Sequence, residues 1–127
     1  MAEGNLPTVY DCYALFLFSP RYTRQNPARV AAWIESAASA PQDREAALKR
    51  IDMIMAHDVL ERLGAIRQPA LVICGDSDFC TPPPLSEEIA QAIVGSKLVV
   101  MENAGHLIHI EQEEIFSEYV RYFISQV

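Results

Sequence analysis

The chain has 127 residues, half of them hydrophobic, which excludes a disordered tail and fits one domain or a large part of one. Its net charge of −7, without a long basic run, argues against nucleic acid and anionic membranes as partners. No apolar run approaches the length that spans a bilayer, and the N-terminus has neither a basic region nor a signal-peptide core, so we expect a cytoplasmic protein.

The three cysteines, Cys12, Cys74 and Cys80, do not have the pair spacing of a metal site. Cys74 lies inside an apolar run, where a small buried thiol is typical. The odd number of cysteines and their spacing indicate a reducing compartment without disulfides.

Residues 1–57 are predicted to form a helical region. Ser19-Pro20 and Ala40-Pro41 interrupt it, because a residue that precedes proline disfavours the helical conformation. Asn26 is predicted to cap the helix that begins at Pro27. The first helix is too apolar to have only one buried face, so we expect it to pack on two sides, against this chain or against another one. The three predicted helices cover Leu6 to Phe18, Pro27 to about Ser39 and about Asp43 to Ala56.

Residues 58–127 alternate between helical and strand patterns. Both strands are short and apolar, and the first is apolar at every position, which is typical of a strand buried on both faces of a parallel sheet. The last helix carries a predicted buried stripe of Ile115, Phe116, Tyr119, Val120 and Phe123. The predicted elements are a short helix from Asp58 to Leu63, a strand from Ala70 to Cys74, a helix from about Leu85 to Ile93, a strand from Leu98 to Met101 and a helix from about Gln112 to Ser125.

An acid and an imidazole follow the two strands. Asp78 comes after the first strand and His106 after the second, and parallel strands bring such loops to one edge of the sheet. A buried Asp can orient a His so that the His serves as a general base. Either residue alone could as well stabilise a turn, since Asp is common in turns, but the pair favours catalysis.

Three motifs around these residues resemble the α/β-hydrolase superfamily, in its lactonase, esterase and non-haem haloperoxidase-like members. They are Gly-x-x-Asp-x-x-Thr-Pro at Gly75–Pro82, Ala-Gly-His at Ala104–His106 and His-x-x-His-x-Glu at His106–Glu111. The resemblance is strong from Asp58 to Phe123 and weaker over residues 1–57, which are similar to the family's lid helices. It implies an α/β fold class: a partial α/β-hydrolase fold, with lid-like helices followed by a strand–helix–strand–helix unit, two parallel strands, and the nucleophile-bearing half absent.

The resemblance also implies roles for individual residues. Asp78 matches the family's catalytic acid and His106 its catalytic base. Asp76 is expected to support the turn, while His109 and Glu111 are expected to position the loop and the helix after it. The family's reaction needs no metal and no organic cofactor.

The family's nucleophile, a serine in a Gly-x-Ser-x-Gly elbow, has no match in this sequence. None of the eight serines has glycines at that spacing, and the His-Gly oxyanion-hole loop is also absent, as if the sequence began within the lid. Removing part of such a triad costs about 10⁴-fold in rate, so we expect very weak activity from this chain alone. Cys80 and Ser77 are possible substitutes, but such replacements are rare and the position of Ser77 at the strand end differs from an elbow.

We therefore expect the C-terminal part of a serine-type hydrolase for an ester, a lactone or a related carbonyl substrate, inactive alone. Its nucleophile would come from a longer parent chain or a complementing N-terminal half. Candidate substrate-binding residues in the apolar helices are Phe16, Phe18, Trp33 and Met55. The alternative is a non-catalytic truncated product or oligomerising interaction module. Two strands with an orphan edge also predict a homo-oligomer, most simply a dimer.

Overall fold

The computed structural model describes residues 6–40 and 43–127, so part of the predicted Ala40-Pro41 break lies outside the described residues. Four helices precede an alternating unit of two strands and three helices, and a 3-10 helix at Leu60–Ala65 joins the two parts. The elements are α1 (Leu6–Leu17), α2 (Pro20–Gln25), α3 (Pro27–Ser39), α4 (Arg44–Ala56), β1 (Leu71–Gly75), α5 (Pro83–Ala92), β2 (Lys97–Met101), α6 (Ile108–Glu111) and α7 (Glu113–Ile124). Within the described ranges, no helix has the length and apolar character needed to cross a membrane.

The sheet consists of β1 and β2, which pair in parallel, with α5 as the connection between them. Leu71 lies opposite Lys97 at one end of the pairing, and Gly75 lies opposite Met101 at the other. Because both strands end at the same level, the loops that follow them leave the same edge of the sheet. The predicted strand–helix–strand–helix unit with two parallel strands is confirmed.

The N-terminal region contains one helix more than predicted. Ser19-Pro20 ends α1 as expected, but the same two residues begin α2: Pro20 is its first residue, and the Ser19 hydroxyl accepts a hydrogen bond from the Tyr22 N–H at 3.1 Å. Asn26 occupies the predicted N-cap position of α3, directly before Pro27. Its side chain accepts no capping hydrogen bond, however, because the amide donates to the Tyr22 carbonyl at 3.3 Å.

A hydrophobic core joins α1, α2 and α3. Phe18 is its largest fully buried side chain, and its ring stacks on Tyr22 and meets the edge of Trp33, each at a centroid distance of 5.5 Å. The other side of α1 is not covered by the described residues, since Leu15 and Phe16 are 66% and 54% exposed. Among the described residues, only one side of α1 is therefore packed, and the contact on its second side stays a prediction.

A second core lies beside the sheet, and it leaves much apolar surface open. Met101, Ala104 and Ile108 are buried there, against Ile73, Val99 and Phe116. The prediction that β1 is buried on both faces is wrong for this chain, because its first three residues are only half-buried. The prediction that α7 buries a stripe of five residues is also wrong in part, since Ile115 and Tyr119 are exposed. The helix α4 buries none of its residues.

Two short elements differ from the prediction. The helix expected from Asp58 to Leu63 is a 3-10 helix at Leu60–Ala65, although Asp58 Oδ1 does accept a hydrogen bond from the Leu60 N–H at 3.3 Å. The single helix expected from Gln112 is preceded by α6, a one-turn helix that directly follows the His106 loop. That turn places Glu111 close to the loop.

Candidate active site

The carboxylate of Asp78 is fixed by four hydrogen bonds in the loop after β1. Oδ1 accepts from the backbone N–H groups of Cys80 and Thr81 at 2.8 and 2.9 Å. Oδ2 accepts from the Thr81 hydroxyl and from His106 Nδ1, both at 2.9 Å. The residue is only 6% exposed, so these partners replace water around the carboxylate.

The surroundings of Asp78 favour its charged form. Burial alone would raise the pKa of this carboxyl, because desolvation penalises the charge. Four other effects outweigh burial and lower the pKa of Asp78 below the ordinary value of an aspartate. They are the hydrogen bonds from the Thr81 backbone, the His106 ring and the Thr81 hydroxyl, and the charge of protonated His106. Asp78 is therefore ionised at neutral pH and can only accept hydrogen bonds.

The orientation of His106 follows from the charge of Asp78. Because the carboxylate only accepts, Nδ1 of the ring carries the hydrogen that points to Asp78 Oδ2 at 2.9 Å. In the neutral ring, Nε2 is then the nitrogen with a free lone pair. The His106 side chain is 36% exposed, so the ring is accessible. A histidine held in this way can accept a proton from a hydroxyl and return it to a leaving group.

Backbone hydrogen bonds join the loops that carry the acid and the base. Asp76 donates its N–H to the Met101 carbonyl at 3.0 Å, and Ser77 donates to the Ala104 carbonyl at 2.9 Å. In return, the Asp76 carboxylate accepts from the backbone of Asn103 and Ala104. Burial raises the pKa of Asp76, but these two bonds and those from Ser77 outweigh it and lower the pKa. The geometry agrees with the expected support of the turn by Asp76, and it extends that support to the second loop.

Neither Ser77 nor Cys80, the two candidate substitutes for the nucleophile, forms a hydrogen bond with His106. The Ser77 hydroxyl donates to Asp76 Oδ1 at 2.9 Å, and the exposed Cys80 reaches the acid through its backbone N–H only. Within residues 6–40 and 43–127, no three His, Cys, Asp or Glu side chains gather in a way that could hold a metal ion.

The four predicted substrate-binding residues do not lie together. Phe18 and Trp33 line a cavity of about 440 Å³, whose other lining residues are Tyr22, Arg29, Ala32, His109, Ile110 and Glu113. Phe16 lies on the open side of α1 and Met55 on α4, where it is 82% exposed. Asp78 and His106 are not among the residues that line this cavity.

Two residues at the site were missed in the sequence. The motif at Gly75–Pro82 contains Thr81 but assigns it no role, whereas in the structure its hydroxyl donates to Asp78 Oδ2 at 2.9 Å. The Ser19-Pro20 pair predicts only a helix end, whereas Ser19 is fully buried and its hydroxyl donates to Glu111 Oε2 at 2.5 Å. The link from Ser19 to Glu111 is long-range, and no local pattern indicates it.

Comparison with known proteins places this geometry in context. The family of the alpha/beta hydrolase fold matches residues 21–113. A candidate carbamate hydrolase, RutD, of Klebsiella pneumoniae is 31% identical over 118 residues, which is 93% of this chain and 44% of that protein. A pimeloyl-(acyl-carrier protein) methyl ester esterase of Neisseria meningitidis is 32% identical over 67% of this chain and 32% of its own length.

Solved structures give the same picture. The enol-lactonase of Burkholderia xenovorans superposes with a TM-score of 0.84 at 27% identity, over 97% of this chain and 46% of that one. A thermophilic esterase of Thermogutta terrifontis superposes with a TM-score of 0.84 at 26% identity, over 98% of this chain and 45% of its own. The chain thus spans less than half the length of these proteins.

Proposed function

Because the chain belongs to the α/β-hydrolase fold family, we propose that it supplies the catalytic acid Asp78 and the catalytic base His106 of a serine-type hydrolase. The observation that carries this proposal is the 2.9 Å bond from His106 Nδ1 to Asp78 Oδ2, which leaves Nε2 free. The proposed substrate is an ester, a lactone or a related carbonyl compound. Relatives named as an esterase and an enol-lactonase support that class.

The proposed chemistry follows from the orientation of the ring. His106 Nε2 takes the proton of the attacking hydroxyl while the hydroxyl oxygen bonds to the carbonyl carbon. The Asp78 carboxylate stabilises the imidazolium that forms. When the tetrahedral intermediate collapses, the same nitrogen gives its proton to the leaving oxygen. Water then repeats the sequence on the acyl intermediate and restores the serine.

We propose that the serine and the oxyanion hole come from a polypeptide that carries the N-terminal half of the fold, either a longer parent chain or a separate partner. The chain spans less than half of its relatives, and its sequence has no Gly-x-Ser-x-Gly elbow. Among the described residues, β1 pairs with β2 alone, and its first three residues are half-buried, so its other edge is free to pair with a further strand. Activity of the chain alone is then expected to be very weak.

A second candidate function is a non-catalytic module that associates with a second copy of itself. The observation that favours it is the apolar surface of α4, where Ile51 and Met55 are 55% and 82% exposed. In this case Asp78 and His106 would keep their hydrogen bond but would catalyse no reaction. Phe16, Phe18, Trp33 and Met55 stay candidates for substrate contact only under the first proposal.

The decisive experiment is complementation. The N-terminal part of the Burkholderia enol-lactonase, up to the segment that this chain matches, is co-expressed with the chain and assayed on a chromogenic ester. We expect hydrolysis that falls by about 10³–10⁴-fold in His106→Ala and is kept in the matched control His57→Ala, a residue at the end of α4. Equal loss or equal activity in the two variants would contradict the role of His106.

Labelling of the isolated chain with a fluorophosphonate probe, read by intact mass, tests the missing nucleophile. We expect no labelled species. A labelled serine or cysteine whose reaction disappears in His106→Ala would mean that the chain contains its own nucleophile, and the proposed need for a partner would be wrong.

A further inference from the structure

The carboxylate of Glu111 joins two distant parts of the chain. Its Oε1 accepts from the backbone N–H of Ser19 at 2.8 Å and from that of Gly105 at 3.0 Å. Its Oε2 accepts from the Ser19 hydroxyl at 2.5 Å. Ser19 lies between α1 and α2, whereas Gly105 directly precedes His106. One side chain therefore ties the helical region to the loop of the base.

The Ser19 end of this connection is a fixed anchor. Ser19 is fully buried, and its hydroxyl accepts from the Tyr22 N–H at 3.1 Å while it donates to Glu111. Partners on both sides of a buried hydroxyl restrict its orientation, because turning it away would leave one of them without its hydrogen bond. The position of Glu111 is therefore set by the start of α2.

The Gly105 end is packed just as tightly. A Cβ on Gly105 would lie 2.5 Å from the Ser19 nitrogen and 2.6 Å from Glu111 Oε1, so only glycine fits. On the other side of His106, the Leu107 N–H donates to the Leu17 carbonyl at 3.0 Å. Hydrogen bonds to the α1–α2 segment and to Glu111 therefore hold the backbone both before and after the histidine.

We propose that Glu111 is a positioning residue for His106: by holding Gly105 against Ser19, it sets the backbone from which the imidazole reaches Asp78. The catalytic meaning of this coupling rests on the function proposed above. Within the described residues, no Lys or Arg forms an ion pair with Glu111, so neutral donors alone surround the carboxylate. A displacement at the α1–α2 junction is thus transmitted to the base.

The test is NMR of the His106 ring, which needs no turnover. In the unsubstituted chain, the Nδ1–H hydrogen that is bonded to Asp78 gives a signal whose exchange with water can be measured. We expect Glu111→Ala, which removes all three hydrogen bonds to this carboxylate, to move that signal and to speed its exchange by about tenfold. The matched control is Glu114→Ala, an exposed carboxylate in the next helix.

Two milder variants keep the test decisive if Glu111→Ala does not fold. Ser19→Ala removes the hydroxyl but keeps the backbone bond, and Glu111→Gln keeps the shape and one acceptor oxygen, so each should move the His106 signal by a smaller amount. An unmoved signal in the folded variants, or an equal shift in Glu114→Ala, would overturn the positioning role. If complementation fails while Glu111→Ala still moves the His106 signal, the proposed function alone is overturned and the positioning role stands.

Discussion

Gly75 and Ala104 approach so closely that a Cβ on Gly75 would lie 2.1 Å from the Ala104 carbonyl oxygen. Gly75 is the last residue of β1, and Ala104 belongs to the loop of His106. The obstacle is backbone, which cannot swing aside as a flexible side chain can. The contact between the acid loop and the base loop therefore depends on the absence of a side chain at this position.

Gly75→Ala should be strongly destabilising. The added methyl group must push the Ala104 loop outward, and we expect a loss of about 2–3 kcal/mol in the free energy of unfolding, as for an overpacked core. Urea denaturation followed by circular dichroism measures it. Gly64→Ala is the matched control, since its nearest neighbour would be an oxygen at 3.8 Å, an ordinary contact. Equal stability of the two variants would mean that the loops separate at little cost.

Thr81→Val should weaken the charged state of Asp78. The valine keeps the volume of threonine but removes the hydroxyl that donates to Asp78 Oδ2 at 2.9 Å. We expect the pKa of Asp78 to rise and the free energy of unfolding to fall by about 1.5–3 kcal/mol, the usual range for a hydrogen bond to a charged acceptor. Carboxyl ¹³C NMR across a pH titration measures the pKa. Thr81→Ser keeps the hydroxyl and should titrate like the unsubstituted chain.

Acid should remove the contribution of Asp78 to stability. The pKa of Asp78 is lowered in the folded chain, so the stabilisation is complete above the unfolded pKa of about 4 and is lost as the pH falls through the lower folded value. Asp78→Asn should therefore be less stable than the unsubstituted chain at pH 6, and this difference should shrink towards pH 2. Urea unfolding at a series of pH values measures it. A difference that stays constant from pH 6 to pH 2 would show that the charge of Asp78 is not the cause.

Replacing exposed apolar residues of α4 by glutamate should weaken association with a second copy or a complementing half and leave the fold unchanged. Ile51 and Met55 are 55% and 82% exposed on one face of the helix, so Ile51→Glu and Met55→Glu should cost less than about 0.5 kcal/mol in folding. If this face binds a second copy or a complementing half, sedimentation velocity should show weaker association in both variants. Lys49→Gln on another face of α4 is the control. Unchanged association in all three variants would place the interface elsewhere, for example on the edge of β1.

The acid–base site was predictable because its information is local. Asp78 and His106 each follow an apolar strand, and parallel pairing brings such loops to one edge. The strand–helix–strand unit was equally readable from alternating apolar and helical patterns. The apolar composition of β1 predicted a strand buried on both faces, but composition does not reveal whether the covering elements are present in the chain.

The contacts that hold the site were harder to predict because they are non-local. Ser19 and Glu111 are separated by 92 positions, and no periodicity connects them. Ser19-Pro20 is compatible with a helix end as well as with a helix start, so the local pattern does not predict α2. The one-turn helix α6 is too short for an apolar repeat, and its existence depends on the Leu107 and Ile108 carbonyls that accept hydrogen bonds from Glu111 and Gln112.

The side chains that orient the imidazole of His106, directly or through another residue, are those of Asp78, Thr81, Glu111 and Ser19. All of them except Ser19 lie within the contiguous segment from Gly75 to Glu111. The acid, the base and most of the side chains that support them therefore lie in one continuous stretch of the sequence. A recombination event upstream of it would separate the chain from a nucleophile without disturbing the acid–base geometry. The same property makes the segment a unit that can be transplanted, provided that the recipient offers a buried serine where Ser19 lies and a backbone carbonyl where that of Leu17 lies.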